Sequence, residues 1–308
     1  MNTAPQDNEV TRAVEVAPKH AQGSASGKAD VSASMGDILR RTKGLSAEQV
    51  NQALEYQTSK GVRFGEAVVA LGLAKQEDVL WALAQQFHYP YNPQQAEHRL
   101  NEELVVANDP FSPQVEAFRD LRTQLIPLMM GNEQQRHAIA VISAEVGDGK
   151  TFITANLAAA FSQLPGRTLL VDADLRTPRM HEVFGVEPGT GLSGILAGRA
   201  EPNVIKPVEH LPNLYMLPAG IVPPNPAELL QRASFSLLMK ELLEKFDYVL
   251  VDTPAAALGS DARVIAGHCG ACMVVGRKNK SRTPAVQSLV KQLTKSTVKI
   301  SGFLMNDY

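Results

Sequence analysis

From residue 136 onward the chain alternates short apolar runs with helical stretches. The apolar runs are "HAIAVIS" (137–143), "RTLLVDAD" (167–174), "NLYMLPAG" (213–220), "FDYVLVDT" (246–253), "ACMVVGR" (271–277) and "VKISGFLMN" (298–306). Between them, helical patterns are predicted over 151–163, 226–245, near 260–267, and over 283–296. Strands that are apolar throughout, without in–out alternation, are strands buried on both faces. Alternation with helices then predicts an α/β fold: a parallel sheet covered by helices on both faces. An amphipathic helix, "QVEAFRDLRTQLIPLMM" (114–130), precedes the first strand.

The rest of the chain is organised differently. Residues 1–33 are rich in small and charged residues and hold only scattered valines, so they are predicted to be a disordered tail. Residues 34–88 form a small helical domain built on a repeat, with copies at 34–57 and 63–86. Gly36 matches Gly65, Leu39 matches Val68, Val50 matches Val79, and Leu54 matches Leu83. Each copy reads as helix, glycine-marked turn, helix. Residues 89–113 lack sustained periodicity and read as a linker, leaving 114–308 as the α/β domain.

Composition narrows the function classes. The net charge is −2, which gives no global basic field for nucleic acid. No run of about 18 apolar residues suggests a membrane span. The N-terminus does not read as a signal peptide. Cys269 and Cys272 precede an apolar run and read as buried packing residues, with a redox pair as the second reading. A cytoplasmic protein is the expectation.

Three segments carry chemistry. In "AVISAEVGDGKTFITANLAAAF" a strand runs through a glycine-rich loop into a helix. Gly147, Asp148, Gly149, Lys150, Thr151 and Phe152 would bring backbone N–H groups and the helix N-terminus to a nucleotide's phosphates. Lys150 would reach the β- and γ-phosphates, and the Thr151 hydroxyl would ligate Mg²⁺. Ala144 stands where such a loop normally begins with glycine. The second segment places Asp172, Asp174 and Arg176 at a strand end, where open parallel sheets bind ligands. These carboxylates suit Mg²⁺ binding or proton acceptance, and either Asp172 or Asp174 could be the base. The third places Asp252 at another strand end, in position to contact Mg²⁺.

Together these motifs resemble the Walker A, A′ and B motifs of the bacterial tyrosine kinases. "EAFRDLRTQL" (116–125) resembles that family's E-x-x-R-x-x-R helix, with Glu116, Arg119 and Arg122. The whole chain is most similar to exopolysaccharide chain-length-determinant kinases. The resemblance implies ATP- and Mg²⁺-dependent autophosphorylation on tyrosine and control of polysaccharide polymerisation and export. It also implies a ring of subunits packed through the arginine helix, and a separate membrane activator that brings the chain to the inner membrane. Tyr308 is the single tyrosine of the C-terminal tail and the candidate phospho-acceptor. Two other readings stay open. One is an ATP-binding pseudokinase scaffold. The other is a MinD- or ParA-like ATPase switch, against which Glu145 stands, because that class carries a lysine there.

The N-terminal repeat resembles the N-terminal domain of type II secretion and pilus assembly ATPases. Some of those bind cyclic di-GMP, which points to Arg63, Phe64, Gly65 and Gly72 here. The first copy has no arginine at the matching place, so a helical docking domain without a ligand is the competing reading.

Overall fold

The computed structural model describes residues 34–86, 101–131, 136–199, 201–211 and 213–307. The expectations for the tail over 1–33, for the first part of the linker and for Tyr308 fall outside those residues. Within them, the fold forms two compact units, 34–86 and 101–307.

The first unit contains α1 (Met35–Lys43), α2 (Ala47–Lys60), α3 (Phe64–Ala70) and α4 (Gln76–Gln86). Ser34 with Asp37 and Ser46 with Gln49 form reciprocal capping boxes that start α1 and α2. The repeat shows itself in the packing. Helix α1 of the first copy packs mainly on α4 of the second, and α2 mainly on α3. At the centre, a Cβ on Gly36 would lie 3.3 Å from Val50 and 3.6 Å from Phe64. A Cβ on Gly65 would lie 2.5 Å from Val79 and 3.7 Å from the Met35 sulfur. Each glycine therefore meets the valine of its own copy and the preceding residue of the other copy. The recurring glycine is a helix-contact position at which a side chain would push the copies apart.

The second unit starts earlier than the linker reading of 89–113 allows. Residues 105–108 form a short helix, α5 (Val105–Asn108), and α6 spans Pro113–Met130. Leu104 and Val106 are fully buried against the sheet domain. The Asn156 side chain pins this segment by accepting from the Val106 N–H (3.0 Å) and donating to the Glu103 carbonyl (2.7 Å). Two apolar residues and one buried amide suffice to fix a stretch too short to show periodicity.

The sheet runs β1 (Ala138–Ser143), β2 (Thr168–Asp172), β3 (Lys206–Pro207), β4 (Leu214–Leu217), β5 (Tyr248–Asp252), β6 (Gly270–Arg277) and β7 (Lys299–Asn306). Its order is β3-β4-β2-β5-β1-β6-β7, parallel except for β3 against β4. The helices are α7 (Lys150–Ser162), α8 (Met180–Phe184), α9 (Gly191–Leu196), α10 (Pro226–Leu230), α11 (Ala233–Lys245), α12 (Asp261–Cys269) and α13 (Thr283–Leu293). Leu169 and Val171 face the core under α11 and α12, while Leu170 faces the core under α6 and α7. Every residue of β1 and β2 is buried, so both faces need apolar side chains and no alternation appears. The helix predicted over 226–245 is two helices. Arg232 between them is extended and its guanidinium caps the Leu196 carbonyl at 3.2 Å.

Candidate functional site

Strand β1 ends at Ser143 and α7 begins at Lys150, so the glycine-rich loop sits at the carboxyl end of the sheet. Gly147 and Gly149 have φ of 82° and 95°, the left-handed region that side chains avoid. The Asp148 carboxylate is fully buried and shapes the loop from within. It accepts from the Glu145 N–H (3.0 Å) and from the Ser281 hydroxyl (2.6 Å). Lys150 is buried at 7 % exposure, and its ammonium donates to the Ser143 hydroxyl at 3.0 Å.

Strands β2 and β5 are neighbours, with Asp172 in register with Asp252. Both carboxylates are buried at the end of their strands. The Thr151 hydroxyl donates to Asp252 at 2.8 Å. Asp172 accepts from the N–H groups of Asp174 (3.1 Å) and Met180 (3.3 Å). Burial, then the charges of Asp252 and Asp174, pushes the Asp172 carboxyl well above the usual carboxylate range. Burial raises Asp252 to about 6, although Lys150 and Thr151 pull the other way. The two carboxylates thus each resist ionising, although Lys150 acts on Asp252, and a divalent cation would relieve that excess of buried negative charge. Thr151 and Asp252, already bonded to each other, are the oxygen donors that fit it, with Asp172 in register beside them. Among the described residues no cluster of three His, Cys, Asp or Glu side chains has the arrangement of a closed metal site.

Asp174 and Arg176 are committed elsewhere. Asp174 accepts from the backbone of Arg176 (3.0 Å) and Thr177 (2.9 Å) and from the Thr177 hydroxyl (3.0 Å). Arg176 makes a two-pronged pair with buried Asp261, at 2.6 and 3.2 Å. Its guanidinium ties the strand-end turn to α12.

Comparison with known proteins decides the family. A ParA family model, described as NUBPL iron-transfer P-loop NTPase, matches residues 134–306. The putative tyrosine-protein kinase CapB of Staphylococcus aureus is 30% identical over 203 residues, covering 66% of this chain and 88% of CapB. The chain belongs to the bacterial tyrosine-kinase family. Tyrosine-protein kinase wzc of Salmonella typhimurium is 34% identical over 204 residues, which cover 66% of this chain but only 28% of wzc. Among solved structures, the kinase domain of Escherichia coli tyrosine kinase ETK is 34% identical, with a TM-score of 0.63 and coverage of 68% of this chain and 81% of that one. The chimerical protein CapA2B2 is 28% identical, with a TM-score of 0.62 over 73% of this chain and 96% of that one. P-loop NTPase character and the tyrosine-kinase family are therefore properties of this chain.

Other expected residues of this bacterial tyrosine-kinase chain lie where the sequence could not place them. The Phe152 side chain is buried against Phe118, ring centroids 6.1 Å apart, so only its backbone can serve the loop. Arg119 bonds Glu116 and the Pro110 carbonyl, and Arg122 bonds the Ala160 carbonyl, so all three residues of the arginine helix have partners within the chain. Phe64 and Gly65 are packing residues of the helical unit, Gly72 closes a turn at φ 67°, and Arg63 starts α3 with its side chain exposed. Their placement is explained by the helical packing, and none of the comparisons supports cyclic di-GMP.

Sequence reasoning missed the loop after β6. Arg282 pairs with Glu145 through its backbone N–H (3.1 Å) and Nε (2.7 Å), and holds that carboxyl below its usual range. Ser281 bonds Asp148, and the Asn306 amide donates to the Asp148 carbonyl at 3.2 Å. The available signal was position: residues just past a parallel strand's carboxyl end gather at the ligand site.

Proposed function

We propose that this chain is an ATP- and Mg²⁺-dependent protein tyrosine kinase that phosphorylates its own kind. One observation carries the reading: at the start of α7, Thr151, next to buried Lys150, bonds the buried carboxylate of Asp252, which lies in register with buried Asp172. Such a set holds a polyphosphate and neutralises the charge that develops on the transferred phosphoryl group. The Gly147 and Gly149 loop, with the N-terminus of α7, cradles the phosphates, and Lys150 reaches the γ-phosphate from its seat on Ser143. Mg²⁺ would be held by Thr151 and Asp252 and would supply positive charge to the phosphates.

The tyrosine hydroxyl oxygen attacks the γ-phosphorus, the bond to the β-phosphate oxygen breaks, and ADP leaves with the bonding electrons. Asp172 takes the tyrosine proton. Its raised proton affinity suits it as base, whereas Asp174 has its oxygens occupied by the turn. Arg176 acts as a positioning residue through Asp261.

Tyr308 is the proposed acceptor in the tail, presented to a neighbouring copy. A ring assembled through the helix of Glu116, Arg119 and Arg122, control of exopolysaccharide polymerisation and export, and a separate membrane chain-length-determinant partner at the inner membrane complete the proposal. Those elements rest on the family resemblance. Among the described residues no helix is long and apolar enough to cross a membrane. Against a MinD-like switch, Glu145 is held by Arg282 of its own chain and offers no cation to a second subunit.

Incubation of the full chain with γ-labelled ATP and Mg²⁺ separates these readings. Phosphotyrosine that is lost in Lys150→Met supports the kinase. Retained ATP without phosphotyrosine, alone or with its membrane partner, supports the scaffold and sinks the kinase.

A further inference from the structure

The edge of the sheet at β7 has a character unlike the rest of the chain. From Ala262 to Asn306 the sequence contains no aspartate or glutamate, while lysines and arginines recur from Arg263 through Lys299. In a chain of net charge −2, this places a concentrated positive region on α12, β6, α13 and β7. Part of it is engaged: Arg282 pairs with Glu145, and Lys278 with Asp307. Lys291, Lys295 and Lys299 are exposed, and no carboxylate among the described residues ion-pairs with them.

The same edge is open in two other ways. β7 ends the sheet order, so one side of its backbone faces no strand among the described residues. Beside it runs a groove of about 770 Å³. Val286 and Val290 of α13 line one wall, and Phe303 and Met305 of β7 line the other. Phe303 and Met305 are 48% and 58% exposed, unusual for large apolar side chains on a strand. Gly276 makes room for the Phe303 ring, because a Cβ there would lie 2.7 Å from it.

We propose that this edge binds an acidic protein segment in extended conformation, which adds to β7 as a further strand. Main-chain hydrogen bonds to the free edge would supply affinity. Alternate side chains of an added strand point to opposite faces, so apolar residues enter the groove while carboxylates point to the face of β7 on which Lys299 lies; Lys291, in the lining of the groove, and Lys295, just past α13, add positive charge around it. A lipid surface or a nucleic acid would match the lysines but leave the backbone of β7 without partners. The inference stands on this edge alone and does not depend on the kinase reading.

The test uses the full chain and a short fluorescent peptide of alternating glutamate and valine, with an alternating lysine–valine peptide as control. The glutamate peptide alone binds. Its affinity falls at least about tenfold in the Lys291→Glu, Lys295→Glu, Lys299→Glu chain, and falls as salt shortens the screening length from about 30 Å to about 8 Å. Amide exchange across β7 slows when it binds. Phe303→Asn, at an exposed position, weakens it without charge reversal. Equal binding of both peptides, undiminished affinity in the charge-reversed chain, or unprotected β7 amides would overturn the proposal. So would binding only to phosphatidylserine vesicles or to RNA.

Discussion

The helical repeat and the sheet domain place their polar groups in opposite ways. In the repeat, Ser34, Asp37, Ser46 and Gln49 sit at exposed helix ends and complete backbone hydrogen bonding. Its marked residues, Gly36 and Gly65, exist so that helices can touch. In the sheet domain, Asp148, Lys150, Asp172 and Asp252 are buried where an apolar residue would stabilise the fold at less cost. Polar groups at helix ends serve the fold. Charges buried at one end of a parallel sheet, where burial raises the proton affinity of Asp172 and Asp252, serve a ligand.

That contrast can be broken at several points. Lys150→Met removes the one buried cation of the loop, and phosphotyrosine formation is expected to fall by about a hundredfold or more in a labelled-ATP assay. Because Asp252 then loses its counter-charge, the same variant should also melt lower. In the repeat, Gly65→Leu would press on Val79 and cost about 1–3 kcal/mol. Trp81 is the single tryptophan and lies in that unit, so its fluorescence reports the loss directly. Phosphotransfer by the sheet domain should survive, since the glycine serves only helix contact.

Smaller effects probe the loop's supports. Arg282→Ala frees Glu145 and should weaken nucleotide binding by about two- to fivefold with little change in kcat, as expected for a surface-exposed pair. Exchanging the two, Glu145→Arg with Arg282→Glu, should restore most of the affinity. Failure of the exchange would show that the pair does not position the loop.

The sheet was legible because "TLLVD" and "YVLVD" are apolar on both faces and end on the aspartates that the site uses. Thr151 bonds Asp252, and Asp172 lies in register beside it, at the helix start and strand ends that the alternation marked. The partner of Arg176 was not legible, because Asp261 is distant in sequence and looks like any helix-start aspartate. The stretch 101–112 was invisible for a similar reason: its order depends on Asn156, reached only in three dimensions. The β6–α13 loop lacked a motif, and only its place in the sheet gives Ser281 and Arg282 their meaning.

The buried pair makes the sharpest test. A carboxyl with a raised folded pKa favours folding below its unfolded value near 3.8, and that advantage is lost as pH rises through about 6. Asp252→Asn should therefore match the wild type in thermal melts below pH 4 and become more stable than it above pH 6, by about 1–3 kcal/mol. Both threonine hydroxyls beside it can turn to suit an amide. The melts are run with and without Mg²⁺–ATP. The account predicts that the variant melts higher without ligand at neutral pH and gains little from Mg²⁺–ATP, whereas the wild type gains clearly. A variant that melts lower than the wild type without ligand, or that gains as much from Mg²⁺–ATP, would contradict the claim that this aspartate is kept for a ligand at the fold's expense.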